Sequence, residues 1–340
     1  MATTSEPAHE AGGYTPTLPT KHFTPPEIRD MPDAPQRKDY ARLIGPGIVA
    51  AGVGLASGEF ILWPYVASQV GLVFLWGAVL GVFMQFFINM EIERYTLATG
   101  ETVLEGFNRF WVHWGLFFAS MTMLGNLWPG WATGSATLVS YIFGGNPTII
   151  AIVMLMVIAL SLTLVPVVYT LLERIIFVKI AAILTFIVVC IIFVIKAPTI
   201  NALPDAVTHV GQFPVEALGF ATLAGAIAFS GAGGGQNLCQ SNWIRDKGFG
   251  MGKYHPPLGG LTSHVEEKST AGYVFVPDTG NLNRWQRWWK FANAEQLVSF
   301  VLITIITIWF MSMVAHATIF GSDVPNSIGF IKFGGAVLGE

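Results

Sequence analysis

Ile44–Gly71 reads IGPGIVAAGVGLASGEFILWPYVASQVG. Almost every residue in it is apolar or small, the composition of a membrane span. Near its middle stands a carboxylate, Glu59, directly after Ala56-Ser57-Gly58. Wholly helical, a stretch of this length would reach about 42 Å, against a hydrocarbon core of about 30 Å. Either strong tilt or a central break absorbs the excess. Ser57-Gly58 favours the break, because Gly is costly within a helix and Ser competes for backbone hydrogen bonds. Irregular backbone at that depth survives where it is buried in protein or lines a wet cavity. A carboxylate there costs about 3 kcal/mol on insertion scales unless something pairs with it, hydrates it or protonates it.

The rest of the chain agrees with a membrane setting. Hydrophobic residues make up 53% and charged residues 11%, with a mean hydropathy of +0.57. Apolar runs near the length of a helical span recur, at 44–71, 72–97, 113–143, 147–168, 171–195, 216–244 and 294–319. The expectation is an all-α polytopic membrane protein of seven spans. A net charge of −3 leaves no basic footprint for nucleic acid. Cys190 and Cys239 both fall in apolar runs, which argues against a disulfide framework, and no signal peptide is evident.

Residues 1–40 carry most of the proline-rich N-terminus and read as a disordered tail. Residues 41–245 hold spans one to six and 246–293 form an insertion. Span seven covers 294–319, and 320–340 form a closing tail. With the N-terminus inside, the inner segments hold sixteen of the eighteen Lys and Arg, which places the tail in the cytoplasm and 320–340 outside. This fits a multi-pass protein of the plasma (inner) membrane. The insertion ends in NLNRWQRWWKFANAEQ (281–296), where Trp285, Trp288 and Trp289 interleave with Arg284, Arg287 and Lys290. That mixture suits an interfacial helix, with rings at the headgroups and cations toward anionic lipid.

Span six repeats the oddity of span one. In ATLAGAIAFSGAGGGQNLCQSNWIRDKG (221–248), Gly231, Gly233, Gly234 and Gly235 make a continuous helix improbable, and Gln236 and Asn237 follow at once. Paired Gly-interrupted spans in corresponding halves mark the midplane site of many transporters, and spans one and six stand five apart, as a five-plus-five inverted repeat requires. The unwound backbone near Ala56 and Gly231 offers carbonyl oxygens, and Glu59, Gln236 and Asn237 add side-chain oxygen. Such a site suits a hard cation better than an anion. Small residues also serve close helix packing, the competing explanation for GAGGG.

These features resemble the Nramp family of proton-coupled divalent-metal transporters, which have the LeuT-type fold. The GPG at 45–47 resembles the start of that family's first span, and ERYTLATGETVLEG (93–106) the end of its second. The family's aspartate-proline-glycine-asparagine break falls on Ala56-Ser57-Gly58-Glu59, and its methionine-proline-histidine-asparagine on Gly234-Gly235-Gln236-Asn237. The resemblance implies a LeuT-type bundle with discontinuous helices 1 and 6, carrying seven of the usual ten or more spans. Further helices would then come from elsewhere. It also implies a metal site at Ala56, Glu59, Gly231, Gly234, Gln236 and Asn237. The metal-binding methionine becomes Gly234, which removes the soft ligand and favours a harder, hydrated cation. The acidic proton-relay positions of the third span become Trp128 and Trp131, so coupling to H+ by the family's route is not expected.

Gln85, Asn89 and Glu93 recur every four residues on span two and form one polar stripe. They either line a transport path or build an inward hydrogen-bond network. Asn126, with Thr133 and Thr137, marks one face of span three, where Pro129 suggests a kink. The expected function is secondary transport of a divalent cation by alternating access, with no bound cofactor, H+ or another ion as coupling partner, and the bilayer as surroundings. The alternatives are a symporter of an organic cationic or zwitterionic solute and a non-transporting membrane subunit. Among the residues no hydrolytic constellation stands out, so an enzyme is not expected.

Overall fold

A computed structural model of the chain describes residues 26–36, 45–56, 58–127, 130–256, 272–322 and 328–339. The fold is all-α. Among the described residues the strands are β1 (Glu27–Ile28) and β2 (Tyr273–Val274), which pair in parallel.

Span one is broken. Helix α1 (Pro46–Gly54) starts on a proline, whose missing N–H costs nothing in a first turn. A π-helical turn follows at Gly58–Leu62, then α2 (Trp63–Val70), and the two halves meet at 45°. Span two is the continuous α3 (Leu75–Thr99), ended by Gly100 in the left-handed conformation. Helix α4 (Val103–Phe110) then opens with a capping box. The Thr102 hydroxyl accepts from the Glu105 N–H, and the Glu105 carboxylate accepts from the Thr102 N–H.

Span three divides into α5 (Trp114–Asn126) and α6 (Gly130–Phe143). Trp128 and the expected kink at Pro129 lie outside the described residues. Helices α7 (Pro147–Leu164) and α8 (Val168–Phe193) are membrane-length, and α7 turns apolar side chains outward on most sides, as a lipid-facing helix does. Short turns α9 (Ala197–Asn201), α10 (Asp205–Thr208) and α11 (Val215–Leu218) lead into span six. That span is split into α12 (Phe220–Ala228) and α13 (Gly235–Asp246).

Helix α14 (Thr279–Gln296), a π-turn at Leu297–Leu302 and α15 (Ile303–Ile319) run on as one 41-residue helix. Helix α16 (Gly329–Gly339) packs back on α15, so a helix stands where a closing tail was expected. Among the described residues four helices are long and apolar enough to cross a membrane, five if the bent pair of span one counts as one. The count falls short of seven because spans three and six divide into segments shorter than a bilayer is thick.

Two expectations change at the membrane edge. Residues 26–36 belong to the folded body, although composition assigned them to a disordered tail; residues 1–25 and 37–40 lie outside the described set. Met31 is buried and its N–H donates to Asn281 Oδ1 at 2.7 Å, while Trp288 Nε1 donates to the Pro32 carbonyl at 2.9 Å. Trp288 is therefore buried against the protein, and only the neighbouring aromatic pair of the Trp-rich helix, Trp285 and Trp289, stacks nearer the surface.

Candidate functional site at the paired helix breaks

The two breaks touch. Gly54, at the end of α1, lies so close to the Gly231–Ala232 backbone that an added Cβ would sit 2.6 Å from the Gly231 carbonyl carbon. Gly58 meets the Phe229 carbonyl oxygen in the same way. Gly231, Gly233 and Gly234 all have positive φ (116°, 67° and 55°), which lets the chain cross between α12 and α13 without a helix. The Trp63 indole N–H donates to Ser230 Oγ at 3.1 Å and ties the second half of span one to the break in span six.

A cavity of about 550 Å³ opens at this junction. Its walls include Ala56 and Gly58 from span one, Thr122 and Asn126 from α5, and Gly231 to Gln236 from span six. Asn126 Oδ1 accepts from Gln236 Nε2 at a long 3.5 Å, and its own amide donates to the Thr122 carbonyl at 2.8 Å. Most main-chain groups at the half-helix ends are already paired: the Gln236 and Asn237 N–H groups donate to the Gly233 and Gly234 carbonyls, and the Ser230 N–H to the Ile227 carbonyl. No Asp, Glu, Lys or Arg side chain lines it among the described residues.

Of the six residues expected to hold a cation, Ala56, Gly231, Gly234 and Gln236 line this cavity, together with Asn126. Glu59 does not. Its side chain is fully buried behind the wall, with Thr307 Oγ1 3.4 Å from Oε2 and Lys179 as the opposing positive charge. Lys179 Nζ in turn donates to the Gly52 carbonyl at 2.9 Å. A π-turn begins at Gly58, so the side-chain directions of a regular helix do not carry past it. Asn237 is also turned away, and its amide donates to Asn89 Oδ1 at 2.6 Å.

The polar stripe of span two has a bracing role in its upper part. Gln85 Nε2 donates to the Ala228 carbonyl at 3.0 Å, and Gln85 Oε1 accepts from the Gly233 N–H at 3.0 Å. One amide thus satisfies both ends of the unwound segment, where unpaired backbone groups would be costly. Glu93 is fully buried, one turn beyond Asn89. Thr133 and Thr137 lie outside the cavity wall, and the Thr137 hydroxyl donates to the Thr133 carbonyl of its own helix.

Sequence reading missed Met121, Thr122 and Gly125 as lining residues. The four-residue spacing of Thr122 and Asn126 in an apolar run was the available signal. It also missed Glu295, whose carboxylate accepts from the Gly45 and Gly47 N–H groups at 3.1 Å and so caps α1. Among the described residues, no three His, Cys, Asp or Glu side chains gather into a metal-holding group. Compared with protein-family models and with curated proteins, the chain matches none.

Proposed function

We propose that this chain bears the substrate site of a secondary transporter of LeuT-type architecture, in which a hydrated divalent cation binds between the two helix breaks and is passed across by alternating access. The observation that carries the reading is the cavity at the contact between two interrupted spans, largely apolar in its walls, with the Asn126 and Gln236 amides and the Thr122 hydroxyl as its polar side chains. Its volume exceeds what a bare ion needs, so the cation keeps much of its water and meets neutral oxygens through it, as a hard, reluctantly dehydrated ion does. Glu59 acts from behind the wall, held by Thr307 and opposed by Lys179. The resemblance of 40–245 to Nramp transporters supports the cargo class, and the Lys and Arg distribution supports a cytoplasmic N-terminus in the plasma membrane.

Binding of Mg²⁺ and Mn²⁺ to the purified protein, and uptake into proteoliposomes, test this directly. Gln236→Ala combined with Asn126→Ala is expected to weaken binding about tenfold or more. Binding that is absent in wild type, or indifferent to both substitutions, would remove the cavity as the cation site.

The second reading is an organic cationic or zwitterionic solute on the same architecture. It draws on the uncharged cavity, its small-molecule volume and the presence of Trp131 in the wall. Stabilisation of the purified protein by amines or amino acids, with no response to divalent metals, favours this reading over the first.

A further inference from the structure

Beyond the Asn89–Asn237 hydrogen bond, α3 and α13 enclose a second polar cluster. Contacts between α3 and span six advance together along the chain: Gly81 meets the Ile227 carbonyl and Gln85 meets Ala228 at the end of α12, Gln85 also meets Gly233 in the break, Asn89 meets Asn237 in α13, and Leu97 meets Gly250 just past it. The helices therefore run parallel, and the next turn brings Gln240 to the level of Glu93. Gln296, just before the π-turn in the long helix, faces the Glu93 carboxylate and interacts with it, although the two stand beyond hydrogen-bond distance.

All of these side chains are fully buried. Both oxygens of Glu93, both amide atoms of Gln240 and of Gln296, and the Thr96 hydroxyl have no hydrogen-bond partner among the described residues. The charge that faces Glu93 is a second carboxylate, Glu295, whose own oxygens are taken by the Gly45 and Gly47 N–H groups. Lys247 faces Glu295 and is bonded to Glu173. A buried carboxylate beside another, without a cation of the protein's own, is costly, and three adjacent polar side chains left unpaired add to the cost.

We propose that Glu93, Gln240, Gln296 and Thr96 form a binding site for a hard monovalent cation of the Na⁺ type, one turn past the Asn89–Asn237 pair and separate from the cavity. The two carboxylate oxygens, two amide oxygens and one hydroxyl supply an all-oxygen shell, the donor set hard cations take. The single free carboxylate matches one positive charge, whereas divalent sites gather more anionic ligands. A proton on Glu93 could be donated to one amide oxygen, such as that of Gln296, and would leave the Gln240 amide unpaired. The site stands on these residues and holds whatever the cavity carries.

Thermal unfolding of the purified protein in detergent tests it, titrating NaCl against choline chloride at constant ionic strength and pH 7. A ligand that binds only the folded state raises the melting temperature with its concentration. Wild type is expected to be stabilised by Na⁺ in a saturable way. Glu93→Gln, which removes the buried charge and so should fold, is expected to lose that response. Gln296→Leu is expected to shift the Na⁺ midpoint about tenfold or more upward. Gln236→Ala, in the cavity, is expected to keep the Na⁺ response, which separates failure of this site from failure of the cavity. Equal melting in Na⁺ and choline, stability that follows pH alone, or a Na⁺ response retained in both Glu93→Gln and Gln296→Leu would each overturn the proposal.

Discussion

Asn237 donates its side-chain amide to Asn89 Oδ1 at 2.6 Å, and this buried bond joins span two to the second half of the interrupted span six. It lies between the cavity and the Glu93 cluster. Asn89→Leu would leave the Asn237 amide buried without its acceptor, at a cost of about 1–3 kcal/mol. Replacing both residues with Leu is expected to recover part of that loss, because a buried polar pair swapped for apolar groups is far less costly than one left half made. A double-mutant cycle read by denaturation in detergent checks it, and a strictly additive result would show that the two amides act independently.

The contact between Gly54 and the Gly231 backbone gives a second expectation. An added methyl would fall 2.6 Å from a main-chain carbon that has no side chain to yield. Gly54→Ala is expected to destabilise the protein by about 1–3 kcal/mol. Gly125→Ala, where an added Cβ meets nothing within 4 Å, is the matched control and should melt close to wild type.

How far the sequence led is clearest at these glycines. Ser57-Gly58 and Gly231 to Gly235 pointed to both interruptions, because Gly is costly within a helix and tolerates the positive φ that such backbone needs. The direction of Glu59 could not be read. Side-chain direction follows from a fixed helical period, and a π-turn changes that period within five residues without any distinctive composition. Gln240 and Gln296 were passed over for a different reason. They sit on separate helices, and only the parallel register of α3 and α13 and the path of the long helix bring them near Glu93.

Arg109 and Glu101 form a buried ion pair beyond the end of α3. Glu101 also accepts from the Tyr95 hydroxyl at 2.5 Å and from the Gly272 N–H at 2.9 Å, so one carboxylate ties α3, α4 and the start of β2 together. Arg109→Met is expected to cost about 3–5 kcal/mol, because it strands the carboxylate in the interior. Replacing Glu101 by Gln in the same background should restore part of the loss by removing that charge. If the double variant melts no higher than Arg109→Met, the carboxylate's charge is not what the arginine offsets.

His255 provides a pH-dependent expectation. Its ring packs on Tyr273 with centroids 5.0 Å apart, and burial, reinforced by the positive charge of Arg245, pushes its pKa down from 6.5 to about 4. Between these values the unfolded chain binds the proton and the folded one does not, so stability rises with pH across that window. The contribution is fully present above pH 6.5 and is lost as pH falls toward 4. Because the ring is partly exposed, solvent screening reduces it to about 1 kcal/mol. Melting curves from pH 7 to pH 4 are expected to show the decline in wild type and a flatter profile in His255→Gln; parallel profiles would rule His255 out as the source.

At 41 residues, the helix from Thr279 to Ile319 measures about 60 Å, roughly twice the thickness of a hydrocarbon core. A large part of it must therefore lie outside the hydrocarbon core. There it carries the docked N-terminal segment at Asn281 and Trp288, while deeper down the same rod holds Thr307 against Glu59. Anything that pulls on residues 30–32 from outside the bilayer acts on a lever whose other arm rests beside the buried acid of span one.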